Sequence, residues 1–154
     1  MTDPVFGNID DAAYRQAAAY CAYQERSQHE VREKLYSLKV EREAIEKIIA
    51  KLVQDNFINE ERFAIAYAGG KFRTKHWGKI KIKMMLQQKQ VSSFCIAKAM
   101  NEISKEDYLQ TMQQLITAAE NKIEEKNPQV KKQLISQKLI AKGFEAELVW
   151  DVLR

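Results

Sequence analysis

The sequence is poor in residues that interrupt helices and in residues that cross-link secreted domains. It contains five glycines, two prolines and two cysteines among 154 residues. A β-sandwich or barrel needs turn residues about every 8–12 positions, so an all-β fold is excluded. Collagen-like and low-complexity classes are excluded for the same reason. Cys21 and Cys95 are too few and too far apart for a disulfide scaffold, and we expect both to be small core hydrophobes.

Long apolar runs are also missing. No segment approaches the roughly 20 apolar residues that span a bilayer. The N-terminus, MTDPVFGNIDD, is acidic and lacks the apolar stretch of a secretory signal. The hydrophobic content of 45% is nevertheless enough to build a core. We therefore expect a soluble, cytoplasmic protein.

Acidic residues are absent from one long stretch in the middle of the chain. Residues 62–101 contain nine basic side chains and no Asp or Glu, so they carry +9 against −5 for the remainder. Separating charge in this way costs self-repulsion, which a polyanionic partner would offset. We predict a surface that binds nucleic acid, and a merely solvated basic face is the alternative. The candidate binding residues are Arg62, Lys71, Arg73, Lys75, Lys79, Lys81, Lys83 and Lys89.

The apolar pattern occurs three times along the chain. Segments 29–40, 80–91 and 132–144 align with offsets of 51 and 53 residues. Apolar residues downstream of each segment recur at spacings of 3 and 4, which is typical of an amphipathic helix. A further helix is predicted before each segment, over 12–24, 59–75 and 105–126. Each unit therefore has three helices and about 50 residues.

This periodicity predicts an all-α fold of three tandem three-helix repeats that form an elongated, curved solenoid. The predicted divisions are 1–57 for an N-terminal arm and the first repeat, 58–103 for the second, basic repeat, and 104–154 for the third. A solenoid presents a long concave surface, which favours binding over catalysis.

Local signals predict where the helices begin and end. Lys39, Gln90 and Gly143 align just before the last apolar residue of each segment, a position that suits a helix end. Ser27 followed by Glu30 predicts a capping box. Further helix starts are predicted at Asn59, Ser104 and Pro128.

Two stretches conflict with these assignments. Residues 79–84 alternate polar and apolar, which alone is typical of a strand. We predict a helix there, because the aligned segments have helical spacing. Gly69 and Gly70 lie inside the predicted helix 59–75, at a cost of about 1 kcal/mol each relative to Ala. They indicate a bend, a close helix crossing or an earlier helix end.

Catalytic and metal-binding patterns are missing. His29 and His76 lie in different repeats at unrelated spacing, and neither pairs with a cysteine as a zinc ligand would. The segments Gly69-Gly70-Lys71 and Gly78-Lys79 lack the other elements of a phosphate-binding loop. We expect no enzymatic activity, no metal and no cofactor.

The aromatic residues invite a stacking interpretation, since nucleic-acid bases stack on aromatic rings. Phe63 and Tyr67 are four residues apart on one helix, which favours core packing. Tyr20 and Tyr23 lie on an Ala-rich helix and are also assigned to packing. Packing and base stacking are both open for Phe72, His76 and Trp77, which are interspersed with lysines and an arginine.

The second repeat carries a family resemblance. Glu61-Arg62-Phe63-Ala64 is followed by a basic stretch, a glycine and spaced aliphatic residues, and Lys142-Gly143-Phe144 closes the third repeat. The matching positions after the first block are Tyr67, Arg73, Gly78, Ile82, Leu86 and Val91. In this pattern, from about residue 14 to the C-terminus, the chain resembles the RecX family of bacterial regulators of the RecA recombinase. It departs from the family at Lys89-Gln90-Val91, at Gly69-Gly70 and in its short N-terminal arm.

The resemblance implies three tandem three-helix repeats that lodge in the groove of the RecA–DNA filament. It implies inhibition of the recombinase's ATP hydrolysis, strand exchange and co-protease activity. The partners expected from it are the RecA filament and single- and double-stranded DNA. The sequence does not fix the oligomeric state, and a monomer is the default expectation.

Two other functions are open. The charge pattern supports a free-standing nucleic-acid-binding module equally well. A helical adaptor that binds another protein through an apolar groove would show no salt-dependent affinity for DNA.

Overall fold

The computed structural model describes residues 8–154, with side chains from Asp11 onward. This part of the chain has nine α-helices and no strand. The helices are α1 (Asn8–Tyr23), α2 (Gln28–Ser37), α3 (Arg42–Gln54), α4 (Glu60–Gly70), α5 (Lys79–Gln88), α6 (Ser93–Glu102), α7 (Lys105–Lys122), α8 (Pro128–Ala141) and α9 (Ala146–Leu153). The prediction of an all-α chain of tandem three-helix repeats is confirmed.

The first seven residues of the predicted N-terminal arm, and with them most of the segment searched for a secretory signal, lie outside the described residues. Within the described part, no helix is both long enough and apolar enough to cross a membrane.

The second helix of each repeat ends in the same backbone geometry. Lys39, Gln90 and Gly143 have positive φ angles of 61°, 61° and 100°. The amide that follows each of them donates to a carbonyl five residues back, as Val40 N does to Leu35 O at 3.2 Å. This bond is the signature of a Schellman motif, so the predicted helix ends are confirmed.

The predicted helix starts are also confirmed. Ser27 and Glu30 form the capping box: the Glu30 amide donates to Ser27 Oγ at 3.0 Å, and the Ser27 amide donates to Glu30 Oε1 at 3.2 Å. The side chains of Asn59, Ser104 and Asn127 each accept a hydrogen bond from the first turn of the helix that follows. Each start is thus fixed by a polar side chain that satisfies an otherwise unpaired amide.

Residues 79–84 belong to helix α5, as the alignment with the other repeats predicts. Ile82 and Leu86 are fully buried on one side of this helix. Ile80 and Met84 are about half exposed on the other side, at 53% and 48%. The alternating pattern arises because α5 has apolar residues on two opposite sides.

The α-helix ends at the second of the two glycines, which is the earlier helix end among the three alternatives that the sequence indicated. Helix α4 runs through Gly70 and continues into a π-helical turn, Lys71–Lys75, which ends at His76 with φ 55°. A Cβ on Gly69 would lie 2.7 Å from Nη1 of Arg73, so the arginine occupies the space that a side chain would need. The prediction of one helix over 59–75 is therefore corrected to an α-helix followed by a wider turn.

The buried apolar residues form two separate clusters. The first contains ten described residues between Ala13 and Ile58, of which nine lie in the first repeat and Ile58 lies one residue beyond its predicted end. The second extends from Phe63 to Leu153 and is shared by the second and third repeats. Cys21 and Cys95 are both buried free thiols, one in each cluster, which confirms their assignment to the core.

Glycine allows a close backbone contact between the second and third repeats. The Gly78 amide donates to Lys142 O at 2.8 Å, and the Ile80 amide donates to Gly143 O at 3.0 Å. A Cβ on Gly78 would lie 2.3 Å from the carbonyl carbon of Gly143. This contact fixes the orientation of the third repeat relative to the second.

Candidate nucleic-acid interface

A cleft of about 560 Å³ lies between the first and second repeats. The first repeat lines it with Gln24, Glu25 and Glu30. The second repeat lines it with Phe63, Ala66, Tyr67, Gly70, Lys71, Thr74, Trp77, Met85 and Lys89. We refer to this feature as the junction cleft, because both repeats are needed to form it.

Lysines and aromatic rings are interleaved on the second-repeat wall of the junction cleft. The Nζ atoms of Lys71 and Lys81 lie 5.2 and 4.5 Å from the centre of the Trp77 ring. Lys71 and Lys89 place their Nζ atoms 5.5 and 5.7 Å from the centre of Tyr67. These distances are within the range of cation–π attraction. Three of the predicted basic residues are therefore gathered around two rings.

The first-repeat wall of the cleft is acidic. Glu30 Oε1 lies 4.0 Å from Lys89 Nζ, in addition to its part in the capping box. Glu25 accepts a hydrogen bond from Arg62 Nε at 2.5 Å. Its other oxygen, Oε2, is buried without a hydrogen-bond partner among the residues that the structure describes. An anion that enters the cleft must therefore compete with carboxylates that already face the cations.

Arg62 is used to join the first and second repeats. Besides the bond to Glu25, its Nη1 donates to Asn56 Oδ1 at 3.3 Å and its Nη2 donates to Asn56 O at 3.1 Å. These partners hold the guanidinium within the junction. Binding of an external anion by Arg62 would require displacement of Glu25.

The three alternating lysines of α5 lie on two sides of the helix. Lys79 and Lys83 are one turn apart, whereas Lys81 lies about 200° round the helix axis from Lys79. Lys81 accordingly reaches Trp77, while the Nζ of Lys79 lies 5.0 Å from the ring of Tyr108 in the third repeat. The structure therefore separates Lys81 from the other two.

Arg73 and Lys75 lie away from the junction cleft. Arg73 is exposed and lines a second hollow, of about 280 Å³, together with His76 and Asp107. Lys75 is exposed, and its carbonyl accepts a hydrogen bond from Lys142 Nζ at 3.3 Å. Of the eight predicted residues, Lys71 and Lys89 thus line the cleft, and Lys81 reaches the Trp77 ring that also lines it.

The aromatic assignments have mixed outcomes. Phe63 is buried, which confirms its packing role, and Phe72 is buried against Tyr108 with ring centres 5.8 Å apart. Trp77 is half-buried: it packs against the second apolar cluster and also lines the cleft. Tyr23 is 83% exposed, so its assignment to packing is wrong.

Sequence reasoning also missed a cationic contact in the first repeat. The guanidinium of Arg26 lies 3.7 Å from the centre of the Tyr20 ring, and its Nε donates to Tyr20 O at 3.1 Å. Tyr20 itself packs against the first apolar cluster, as predicted. The sequence feature that could have indicated this contact is the position of Arg26 directly before the capping residue Ser27, in the short connection between α1 and α2.

Among the side chains that the structure describes, no group of three or more His, Cys, Asp or Glu could hold a metal ion.

Comparison with known proteins places this geometry in a family. The model described as RecX, first three-helix domain, matches residues 13–52, and that described as RecX, second three-helix domain, matches residues 59–100. Together they cover more than half of the chain.

The Regulatory protein RecX of Bacillus cytotoxicus is 29% identical over 137 residues, which are 89% of this chain and 51% of the relative. That of Bacillus cereus strain B4264 is 26% identical with the same coverage. The chain spans about half the length of these curated relatives.

Solved structures agree with this result. The crystal structure of RecX from Lactobacillus salivarius has a TM-score of 0.83 and 26% identity, and the match covers 94% of this chain and 93% of that one. A second structure, of a regulatory protein RecX, has a TM-score of 0.82 at 23% identity over 90% of this chain and 68% of that one, which shows the shared fold. With both three-helix models matched in order along an all-α chain of tandem repeats, the protein belongs to the RecX family.

Proposed function

We propose that this chain is a negative regulator of the RecA recombinase. It binds the RecA–DNA filament and inhibits ATP hydrolysis and strand exchange during recombination and DNA repair. The observation that carries the proposal is the match of both RecX three-helix domain models to consecutive repeats. The name of the curated relatives, Regulatory protein RecX, supports a regulatory rather than an enzymatic role. The chain acts as a monomer in the cytoplasm, without a cofactor.

The tandem architecture suits a polymeric partner. Repeats at 1–57, 58–103 and 104–154 would each meet a different part of the filament, so modest contacts add up to high avidity. The basic middle repeat would face DNA or acidic protein, and the acidic remainder would face basic protein. Complementary charge of this kind fixes orientation and accelerates encounter.

The positions of the basic residues suggest a division of roles. Lys71, Lys81 and Lys89, which line the junction cleft or reach its rings, contact nucleic-acid phosphates in this proposal. Arg73, Lys75, Lys79 and Lys83 lie elsewhere and contact acidic surface of the recombinase. Arg62 holds the first two repeats together and thereby shapes the cleft.

The test is the ATPase activity of the recombinase on single-stranded DNA. We expect the wild-type chain to suppress ATP turnover at amounts well below those needed to cover the DNA. Lys71→Ala combined with Lys81→Ala should weaken this inhibition. Lys122→Ala combined with Lys126→Ala removes the same charge from exposed positions in the third repeat and serves as the matched control. Full ATPase activity at saturating wild-type protein would exclude the proposal.

A second candidate is a free-standing nucleic-acid-binding module, which the cation–aromatic contacts at the cleft favour. Such a module would lower the ATPase activity only by competing for DNA. It would therefore need enough protein to cover the DNA sites, and the dependence on protein concentration separates the two functions.

A further inference from the structure

The interleaving of rings and cations continues from the junction cleft onto the first repeat. Arg26 lies over Tyr20 and its guanidinium is 5.9 Å from the ring centre of Tyr23, while Lys34 Nζ is 5.5 Å from that of Tyr20. Tyr20 is half-buried and Tyr23 projects into solvent. The first repeat thus presents two rings and two cations, although it lies outside the basic stretch of the sequence.

Glu30 connects this group to the second repeat. It lies one helical turn before Lys34 on α2, and its carboxylate approaches Lys89 at 4.0 Å. Burial raises the pKa of Tyr20 and of Tyr67, and the Glu30 carboxylate adds to the rise at both rings, as expected for a charge between them. Contacts therefore run from Arg26 through Tyr20 to Lys34, and from Glu30 through Lys89, Tyr67, Lys71 and Trp77 to Lys81, and one turn of α2 separates Lys34 from Glu30. We call this set of contacts the aromatic–cationic track.

We propose that the aromatic–cationic track is the path of one single strand of nucleic acid, held jointly by the first and second repeats. The proposal rests on the proposed function only in placing nucleic acid at the junction cleft. Base stacking on aromatic rings beside phosphate-binding cations is how single strands are held without sequence preference. A duplex keeps its bases stacked inside, out of reach of the rings.

Each ring can exchange its cation for a base. The ammonium groups of Lys71, Lys81 and Lys89 lie over ring faces in the free protein. A base that stacks on a ring displaces the ammonium, which then pairs with the phosphate of the same strand. Glu30 opposes this exchange, because its negative charge lies on the path and holds Lys89.

The test uses the full chain without recombinase and measures fluorescence anisotropy of labelled oligothymidylate. Tyr23→Ala should weaken binding about fivefold to tenfold, within the range known for base–aromatic stacking. Tyr36→Ala is the matched control: Tyr36 is 76% exposed but lies about 200° round α2 from Lys34. We expect this control to bind as the wild-type chain does.

Charge removal gives a second readout, the dependence of affinity on salt concentration. Arg26→Gln with Lys34→Gln should reduce the log–log salt slope by about 1.4, the value for two phosphate contacts on a single strand. Arg42→Gln with Lys47→Gln removes the same charge from exposed positions on α3 and should leave the slope unchanged. Glu30→Gln should strengthen binding severalfold, because glutamine preserves the capping box without the charge.

Three results would overturn the track: equal losses in the track and control variants, a duplex bound as tightly as the single strand, or displacement of the oligonucleotide by polyglutamate at equal charge concentration. The last result would indicate an acidic protein segment as the occupant. The binding assay contains no recombinase, so its result is independent of the ATPase assay. If the variants change oligonucleotide binding as expected but the wild-type chain does not inhibit the ATPase, only the proposed function is rejected. If the chain inhibits the ATPase but the variants bind the oligonucleotide unchanged, only the track is rejected.

Discussion

Substitution of Gly78 by alanine is expected to disrupt the contact between the second and third repeats. Gly78 is buried, and an added Cβ would lie 2.3 Å from the carbonyl carbon and oxygen of Gly143 and from the amide nitrogen of Phe144. All three are backbone atoms, so no side-chain rotation can relieve the overlap. The two backbones must move apart.

The magnitude follows from the hydrogen bonds that this movement breaks. Gly78 N to Lys142 O, at 2.8 Å, and Ile80 N to Gly143 O, at 3.0 Å, join the repeats at this point. A buried polar group left without its partner costs about 1–3 kcal/mol, so two lost bonds cost about 2–6 kcal/mol. This is a large part of the roughly 5–15 kcal/mol that stabilises a typical domain.

Urea unfolding followed by tryptophan fluorescence measures this loss. Trp77 and Trp150, the two tryptophans of the chain, both pack against the cluster shared by the second and third repeats. We expect Gly78→Ala to lower the urea midpoint by at least about 0.7 M, given a typical slope of 1–3 kcal/mol per M.

The matched control is Gly70→Ala. Gly70 is helical, and an added Cβ would meet no atom within 4 Å. Alanine should stabilise this position by up to about 1 kcal/mol through helix propensity. A Gly78→Ala protein that unfolds at the wild-type midpoint, or two glycine variants that shift it in the same direction, would refute the reasoning.

Three further outcomes are expected. Lys81→Ala should lower the salt slope of single-strand binding by about 0.7. Lys83→Ala should leave the slope unchanged, because Lys83 lies on the other side of α5. Equal slopes for the two variants in a salt titration would contradict this expectation. Ser27→Ala removes the capping box and should cost about 1 kcal/mol of unfolding free energy by far-UV circular dichroism, whereas an unchanged value would show that the cap is dispensable. Burial raises the pKa of Cys21 to about 11, so near pH 9 only about 1% is thiolate. Its alkylation by iodoacetamide, followed by mass spectrometry, should be far slower in the native protein than in urea, and equal rates would disprove the burial.

Features that depend on neighbouring residues could be predicted from the sequence. The equivalence of Lys39, Gln90 and Gly143 was visible in the alignment, and all three adopt positive φ because the same local hydrogen bonds close each helix. Capping signals at Ser27 and Asn59 succeeded for the same reason, since donor and acceptor lie within one turn.

Features that depend on distant contacts could not be predicted. The charge count located a basic repeat but not the side of α5 on which each lysine lies. Arg62 appeared to be one cation among nine, yet its partner Glu25 lies 37 residues away in another repeat. The π-helical turn at Lys71–Lys75 has no sequence signature beyond the preceding glycines.

The division of the chain into repeats was only partly accessible. The threefold pattern predicts three equivalent units, and the helices follow it. The apolar clusters, however, separate the first repeat from a second and third that share one core. The predicted divisions after residues 57 and 103 stay predictions. Periodicity places the three repeats along the chain, but it does not show which adjacent repeats share a hydrophobic core.

The separation of the two apolar clusters has a mechanical consequence. Polar contacts join the first repeat to the rest: the ion pairs Glu25–Arg62 and Glu30–Lys89, which dissolved ions weaken, and the hydrogen bonds from Arg62 to Asn56. The second and third repeats are held together by a shared hydrophobic core and by backbone hydrogen bonds. We therefore expect thermal bending to concentrate at the junction of the first and second repeats, so that the leading unit can swing while the trailing units move as one rod.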